Sequence, residues 1–149
     1  MNRDERLEGA TPARLYATLV GGTLVVVGII GFFYSASFGS PGTVDSVFGI
    51  FGVNGWHNVV HILTGALGLL VAGYAAREYA LGLGVVYTLI AIWGFIIGDN
   101  ESILGFIPVN TEDNFLHLLL GLLGLAAGAA TPADARRRSD RPETATRTT

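Results

Sequence analysis

Four long apolar segments dominate the pattern of the chain. They cover about residues 15–38, 59–76, 80–98 and 115–130, and none of them contains Asp, Glu, Lys or Arg. A helix rises about 1.5 Å per residue, so about 20 apolar residues cross a hydrocarbon core about 30 Å thick. Each segment is long enough for one crossing, the last only just. The pattern therefore predicts an all-α, polytopic membrane protein with four transmembrane helices.

The distribution of arginine predicts which side of the membrane each loop faces. The arginines lie before the first segment, between the second and the third, and after the fourth, and the chain has no lysine. The loops at about residues 39–58 and 99–114 contain neither. Basic residues concentrate on the cytoplasmic side, so we expect a multi-pass protein of the cell membrane with both termini in the cytoplasm. The domains are then a cytoplasmic segment at 1–14, a transmembrane domain at 15–130 and a disordered cytoplasmic tail at 131–149.

Composition narrows the classes of function. Half of the residues are hydrophobic, only 14% are charged, and the mean hydropathy of +0.51 suits a lipid environment. The absence of cysteine excludes disulfides, thiolate metal sites and a cysteine nucleophile. The sequence has no nucleotide-binding fingerprint, no Ser-His-Asp pattern and no acidic residue or arginine in the middle of an apolar segment. We therefore expect a protein that is not an enzyme or an ion pump and has no nucleic-acid partner.

The second half of the chain repeats a motif of the first half. Residues 46–73 and 102–129 are identical at eleven of 28 positions, with a constant offset of 56. The polar identities are Ser46/Ser102, Asn54/Asn110, Asn58/Asn114 and His61/His117. Such identities are harder to obtain by chance than leucine identities in a membrane protein. A unit of helix, outer loop and helix that occurs twice predicts an up-down-up-down bundle of two tandem two-helix repeats, related by a pseudo-twofold axis along the membrane normal.

The repeated motif resembles a known family. Both copies contain the pattern V-N-x3-N-x2-H-x3-G-x-L-G-L, which is similar to that of a family of bacterial and archaeal membrane proteins catalogued as domain of unknown function 4383. The resemblance covers about residues 12–130. It implies a four-helix fold, and it implies no activity or cofactor.

Two repeated asparagines are predicted to be helix caps. Asn54 and Asn110 each end an irregular loop and precede an apolar helix, where asparagine is a favoured N-cap. Asp113, three residues after Asn110, completes a pattern similar to a capping box.

A stripe of small residues continues each helix beyond its cap. At about 100° per residue, the second and fourth helices each align an asparagine, a histidine and several glycines on one face. The residues expected to pack helices together are Asn58, Gly65 and Gly68 in the first copy, and Asn114, Gly121, Gly124 and Gly128 in the second. Faces of this kind let helix backbones approach closely in lipid. We expect these helices to pack through them, against each other or against the first and third helices.

His61 and His117 are the candidate functional residues. An ionisable residue inside a membrane span is a functional candidate by default, although a neutral histidine can also bond a neighbouring helix. No cofactor is the leading expectation. Two imidazoles facing each other across a bundle could instead bind haem b as axial ligands. A third reading is a metal site that recruits His57 and Asp113 together with His61 and His117.

Three functions remain open on the sequence alone. The leading hypothesis is a non-enzymatic structural or interaction protein, or an accessory subunit, with the lipid bilayer and a membrane protein or a second copy as partners. The alternative is a haem- or metal-binding redox membrane protein that uses His61 and His117. The third is a small-molecule channel or carrier, which needs a polar path through the bundle. The apolar outer segments 47–53 and 103–109 are expected to lie in the membrane interface as a turn of helix.

Overall fold

Helices make up most of the structure. A computed structural model describes residues 11–39, 45–99 and 101–133. Its four helices are α1 (Pro12–Gly31), α2 (Gly55–Val71), α3 (Ala76–Ile97) and α4 (Thr111–Ala129). The described part of the protein is therefore mostly helical, in agreement with the predicted all-α class. Two helices, α1 and α3, are long and apolar enough to cross a membrane, and α2 is a shorter apolar helix.

The first helix is shorter than the apolar segment that predicted it. α1 ends at Gly31, whereas the apolar segment extends to residue 38. The backbone N–H groups of Tyr34 and Ser35 both donate to the Gly31 carbonyl and close the last turn. Apolar composition favours burial in lipid but does not by itself continue a helix, and residues 32–38 form turns and irregular chain.

Two small β-hairpins occupy the loops between α1 and α2 and between α3 and α4. The strands are β1 (Asp45–Val47), β2 (Phe51–Val53), β3 (Ser102–Ile103) and β4 (Ile107–Pro108). β1 pairs with β2 and β3 with β4, in both cases antiparallel. The expectation of a turn of helix in these segments was therefore wrong.

The turns of the hairpins explain this difference. Phe48 and Gly49 have φ angles of 56° and 70°, and the equivalent Leu104 and Gly105 have 55° and 78°. Two consecutive residues with positive φ reverse the chain tightly and are incompatible with a right-handed helix. Glycine adopts this conformation readily, but phenylalanine and leucine do so at some energetic cost.

The helices pack mainly in two pairs. α1 lies against α2 and α3 against α4, with smaller contacts of α1 with α3 and α4 and of α2 with α3. The buried core lies where α1 meets α3 and consists of alanines, leucines and three tyrosines. Its members are Ala13, Tyr16, Ala17, Leu24, Tyr79, Ala80, Leu83 and Tyr87. Many large apolar side chains face outward instead, among them Leu70 and Ile96.

Two of the core tyrosines connect the helix pairs. The Tyr16 hydroxyl, on α1, donates to the Leu120 carbonyl on α4 at 2.8 Å. The Tyr79 hydroxyl, on α3, donates to the Thr64 carbonyl on α2 at 3.1 Å. Each tyrosine thus bonds a helix of the other pair, which ties α1 to α4 and α3 to α2.

The residues just after α4 pack against the start of α1. Thr131, the first residue of the predicted disordered tail, is buried, and its hydroxyl accepts a hydrogen bond from the Ala13 N–H. The Thr131 carbonyl also accepts from Arg77 Nε. The rest of the predicted tail from residue 134, like residues 1–10 of the predicted cytoplasmic segment, lies outside the described residues.

Candidate metal-binding site

Asn54 and Asn110 set the starts of the two helices that carry the site. Both have extended backbones, and each side-chain oxygen accepts a hydrogen bond from the backbone N–H three residues later. The acceptor distances are 2.9 Å to the His57 N–H and 2.8 Å to the Asp113 N–H. N-cap bonds of this kind satisfy donors that the first helical turn leaves open. They place His57 in the first turn of α2, and His117 in the second turn of α4.

The same two asparagines also bond the opposite hairpin. Asn54 Nδ2 donates to the Phe106 carbonyl at 2.6 Å, and Asn110 Nδ2 donates to the Ile50 carbonyl at 2.5 Å. Each asparagine therefore fixes its own helix with its oxygen and the other half's hairpin with its nitrogen. We call these two reciprocal bonds the crossed latch. The latch holds both hairpins across the N-terminal ends of α2 and α4.

His57, His61 and His117 converge below the hairpins. One ring nitrogen from each histidine lies within 4.8 Å of those of the other two. The ring centroids are 4.3 Å apart for His57 and His61, 6.1 Å for His57 and His117, and 6.4 Å for His61 and His117. His57 and His117 are buried, and His61 is partly exposed. These are the only histidines in the chain, so every imidazole of the protein lies in one cluster.

Hydrogen bonding fixes the orientation of one ring. His57 Nδ1 lies 2.9 Å from the Gly52 carbonyl oxygen. A carbonyl oxygen only accepts, so Nδ1 carries the proton and Nε2 keeps its lone pair. Burial also lowers the pKa of His57, which lies before the predicted span 59–76, and so favours the neutral ring. A neutral imidazole with one nitrogen bonded to a carbonyl is the usual form of a metal-ligating histidine.

His117 has a free nitrogen in a buried place. Its Nδ1 is buried and finds no hydrogen-bond partner among the described residues. Buried polar atoms are nearly always paired, and an unpaired one calls for a water, an ion or a ligand. His117 therefore has at least one ring nitrogen for which the described protein provides no partner.

Asp113 lies beside the histidine cluster but is not part of it. The side chain is buried, and Oδ2 accepts a hydrogen bond from the Gly52 N–H at 3.0 Å. Gly52 thus bonds His57 through its carbonyl and Asp113 through its N–H. Of the four residues predicted as metal ligands, the structure brings the three histidines together and places the carboxylate on the backbone of β2.

The environment of Asp113 favours its protonated form. This residue precedes the predicted span 115–130, and burial raises the pKa of its carboxyl group from 3.8 to about 7. The negative charge of Glu112 adds to the increase, whereas backbone hydrogen bonds from Gly52 and Asn110 oppose it. Desolvation is the largest of these effects.

Asn58 and Asn114 support the site from the side. Asn58 is fully buried, and its Nδ2 donates to the Ser35 carbonyl at 2.8 Å. A Cβ on Gly31 would collide with the Asn58 carboxamide, and a Cβ on Gly94 would collide with that of Asn114. These glycines let the carboxamides reach the ends of α1 and α3. Asn58 therefore bonds the chain just after α1, whereas the Asn114 carboxamide packs against Gly94 of α3 and its Oδ1 has no hydrogen-bond partner among the described residues.

The glycines of the two predicted stripes make two kinds of contact, with the partner helix of the same pair and with tyrosine rings. At Gly65 an added Cβ would lie 2.8 Å from the Val25 backbone nitrogen, and at Gly121 it would lie 2.8 Å from that of Thr88. These two glycines bring α2 close to α1 and α4 close to α3. Gly128 instead faces the Leu81 side chain of α3.

The other two glycines accommodate tyrosine rings. A Cβ on Gly68 would lie 2.5 Å from the Tyr79 hydroxyl, and one on Gly124 would lie 2.8 Å from the Tyr16 hydroxyl. The glycine faces therefore contact α1 and α3, and α2 and α4 pack only weakly against each other. Near the N-terminal ends of α2 and α4, the histidine side chains bridge these two helices.

The geometry does not suit a haem between His61 and His117. The three centroid distances place the His57 ring about 4 Å from the midpoint between the other two rings. A porphyrin held by two axial imidazoles extends sideways from that midpoint by more than this distance. His57 therefore occupies the room of the macrocycle, and the residues present fit a single ion better than haem b.

Tyr87 is a neighbour of the cluster that the sequence analysis missed. Its ring centroid lies 5.0 Å from that of His117, its side chain is buried, and its hydroxyl has no partner among the residues described. A tyrosine inside an apolar segment shows no pattern that separates it from core aromatics. Only the contact with His117 reveals its position.

Comparison with known proteins identifies the family and nothing more specific. The family described as Domain of unknown function (DUF4383) matches residues 14–130. No curated protein and no solved structure matches the chain. The match covers most of the sequence, so the chain belongs to this family, as its repeated motif predicted.

Proposed function

We propose that this member of the DUF4383 family is a four-span membrane protein that binds a transition-metal ion through His57, His61 and His117. The observation that carries the proposal is the convergence of all three histidines of the chain, with donor nitrogens within 4.8 Å of one another. Three imidazoles are a common ligand set for ions such as zinc and copper.

The spacing of the donor atoms supports this proposal. Nitrogens bound about 2 Å from one ion lie roughly 3.3 Å apart, so the rings need to close by at most about 1.5 Å from their upper separation of 4.8 Å. Side-chain rotation supplies movements of this size. His57 already has the protonated Nδ1 and free Nε2 that ligation requires.

Membrane insertion is supported by the outward apolar side chains. Leu19, Leu70 and Ile96 are at least 60% exposed and belong to three different helices. Exposure of this extent on several helices is typical of a lipid-facing surface. The arginines outside the apolar segments support a cytoplasmic location of both termini.

Equivalent positions support the tandem repeat. The N-caps Asn54 and Asn110, the positive-φ pairs at 48–49 and 104–105, and the two hairpins all recur at an offset of 56 residues. We propose that a pseudo-twofold axis relates the two halves of a four-helix bundle. His57 and Asp113 occupy equivalent positions in the two halves, so the metal site departs from the symmetry.

Labelling of introduced cysteines tests the membrane topology. No native cysteine contributes to the signal, because the chain has none. We expect a membrane-impermeant maleimide to label Glu101→Cys in intact cells. Gly73→Cys, between α2 and α3, is expected to react only after permeabilisation. The opposite pattern would contradict the proposed orientation, and labelling of both residues in intact cells would contradict four spans.

Equilibrium metal binding tests the function. The protein is purified in detergent through a tag without histidine and titrated with zinc, cobalt and copper ions. We expect one ion per chain in the wild type and at least about a tenfold loss of affinity in His61→Gln and His117→Gln. Trp56→Phe, a neighbour of His57 with an exposed side chain, is the matched control and is expected to bind normally.

A structural or accessory role is the competing proposal, since a buried imidazole cluster can also serve packing. It predicts a folded wild type that binds no metal ion. It also predicts that the two glutamine variants are less stable and likewise bind no metal ion. A channel or carrier receives less support, because the buried carboxamides and imidazoles all lie near the outer ends of the helices.

A further inference from the structure

We propose that the ion held by the three histidines is monovalent copper. This inference rests on the proposed metal-binding function and adds the identity of the ion. It follows from the charge of the donor set, the burial of the site and the number of donors. Each of these properties favours a singly charged ion with low coordination over zinc or another divalent ion.

The donor set is electrically neutral. The cluster contains His57, His61 and His117, and no carboxylate joins it among the described residues. A divalent ion bound there keeps a full charge of +2, and a monovalent ion keeps +1. The Born cost of moving an ion out of water rises with the square of its charge, so the divalent ion is penalised about four times as heavily.

The surroundings make this difference important. His57 and His117 are 3% and 6% exposed, and the Tyr87 ring packs edge-on against His117. Asp113, the carboxylate bonded to Gly52, is engaged with a backbone N–H and lies outside the ligand set. A buried site without an anionic ligand disfavours high charge.

The number of donors points the same way. Zinc in proteins takes four ligands, and sites with three protein ligands complete the set with water. Monovalent copper is stable with two or three ligands and requires no water. The three imidazole nitrogens therefore form a complete coordination shell for copper(I), whereas zinc would need water in a largely buried place.

Competition between ions tests this proposal. The full-length protein in detergent, without a polyhistidine tag, is titrated anaerobically with copper(I) against a chromophoric copper(I) chelator, and separately with zinc, cobalt(II) and silver(I). We expect one copper(I) per chain, displacement by silver(I), and at least about 100-fold weaker binding of zinc and cobalt(II). His61→Gln and His117→Gln are expected to weaken copper(I) binding by at least about tenfold.

The outcomes separate the identity of the ion from the function. Zinc or cobalt(II) binding at least as tightly as copper(I), through the same histidines, would overturn the copper assignment and leave the metal-binding function intact. A folded protein that binds none of the four ions would overturn both. Asp113→Asn keeps an oxygen for the Gly52 N–H and is expected to bind copper(I) normally. Loss of binding in this variant would mean that the carboxylate is a ligand and would overturn the neutral site.

Discussion

Substitution of Asn54 separates its N-cap bond from its bond in the crossed latch. Asn54→Ala removes both the N-cap acceptor for the His57 N–H and the donor to the Phe106 carbonyl. Asn54→Ser retains a good N-cap oxygen but cannot donate across to the hairpin as the carboxamide does. The pair of variants therefore measures the cap and the cross bond separately.

The magnitudes follow from the two interactions. Loss of an N-cap costs about 1 kcal/mol, and loss of a hydrogen bond that leaves a partner unsatisfied costs about 1–3 kcal/mol. Asn54 is only 3% exposed, so water replaces neither bond easily. We expect the unfolding free energy to fall by roughly 2–4 kcal/mol in Asn54→Ala and by roughly 1–3 kcal/mol in Asn54→Ser.

Thermal and denaturant unfolding in detergent, followed by circular dichroism, provide the assay. Asn110→Ser is the symmetric counterpart because Asn110 Nδ2 bonds Ile50 in the same way. A double variant shows whether the two halves of the latch are coupled. A change below about 0.5 kcal/mol in Asn54→Ala would refute the latch, since both lost bonds would then be negligible. Equal destabilisation by serine and alanine would refute the assignment of part of the effect to the cap.

Two further predictions concern packing and pH. Gly68→Ala is expected to lower the unfolding free energy by about 1–3 kcal/mol, because the new Cβ would meet the Tyr79 hydroxyl at 2.5 Å. Gly82→Ala, which has open space around it, is the control and should be neutral or stabilising by up to about 1 kcal/mol. Burial raises the pKa of Asp113 from 3.8 to about 7. The contribution of its neutral carboxyl group to the unfolding free energy is therefore complete below pH 3.8 and is lost as the pH rises through 7. Unfolding measured across pH should show a flatter dependence for Asp113→Asn. At pH 8 this variant should be more stable than the wild type by up to roughly 4 kcal/mol, since each unit of pKa is worth about 1.4 kcal/mol. An unchanged pH dependence would contradict the buried carboxyl.

Local sequence patterns were enough to predict the helices and their caps. Apolar segments mark where helices lie because lipid and protein interiors both select apolar side chains. The N-caps were predictable because the asparagine bonds a backbone N–H only three residues away, as Asn54 and Asn110 do. The family also followed from the repeated motif, and it matches residues 14–130.

The hairpins and the tyrosine contacts depend on longer-range information. The turn at Phe48 uses a positive φ that phenylalanine disfavours, so residue preference pointed away from it. The Tyr79 contact with Gly68 joins helices of different pairs, and an apolar stripe does not indicate which helix it will face. For the same reason, the sequence alone does not predict the contact of Tyr87 with His117.

The histidine cluster was only half predictable. His57 and His61 are four residues apart on a helix, so their proximity follows from helical geometry. The approach of His117 depends on how α4 packs relative to α2, which the repeat alone does not determine. The exclusion of Asp113 depends on the Gly52 N–H, which lies in a hairpin where the apolar sequence pattern predicts a turn of helix.

X-ray absorption at the metal edge of the loaded protein tests the central claim most directly, because it counts the imidazoles around the ion. We expect about three nitrogen neighbours near 2 Å with the multiple-scattering pattern of imidazole rings, and about two such rings in His117→Gln. A spectrum with one imidazole or none in the wild type, or one unchanged by that substitution, would contradict a site formed by His57, His61 and His117.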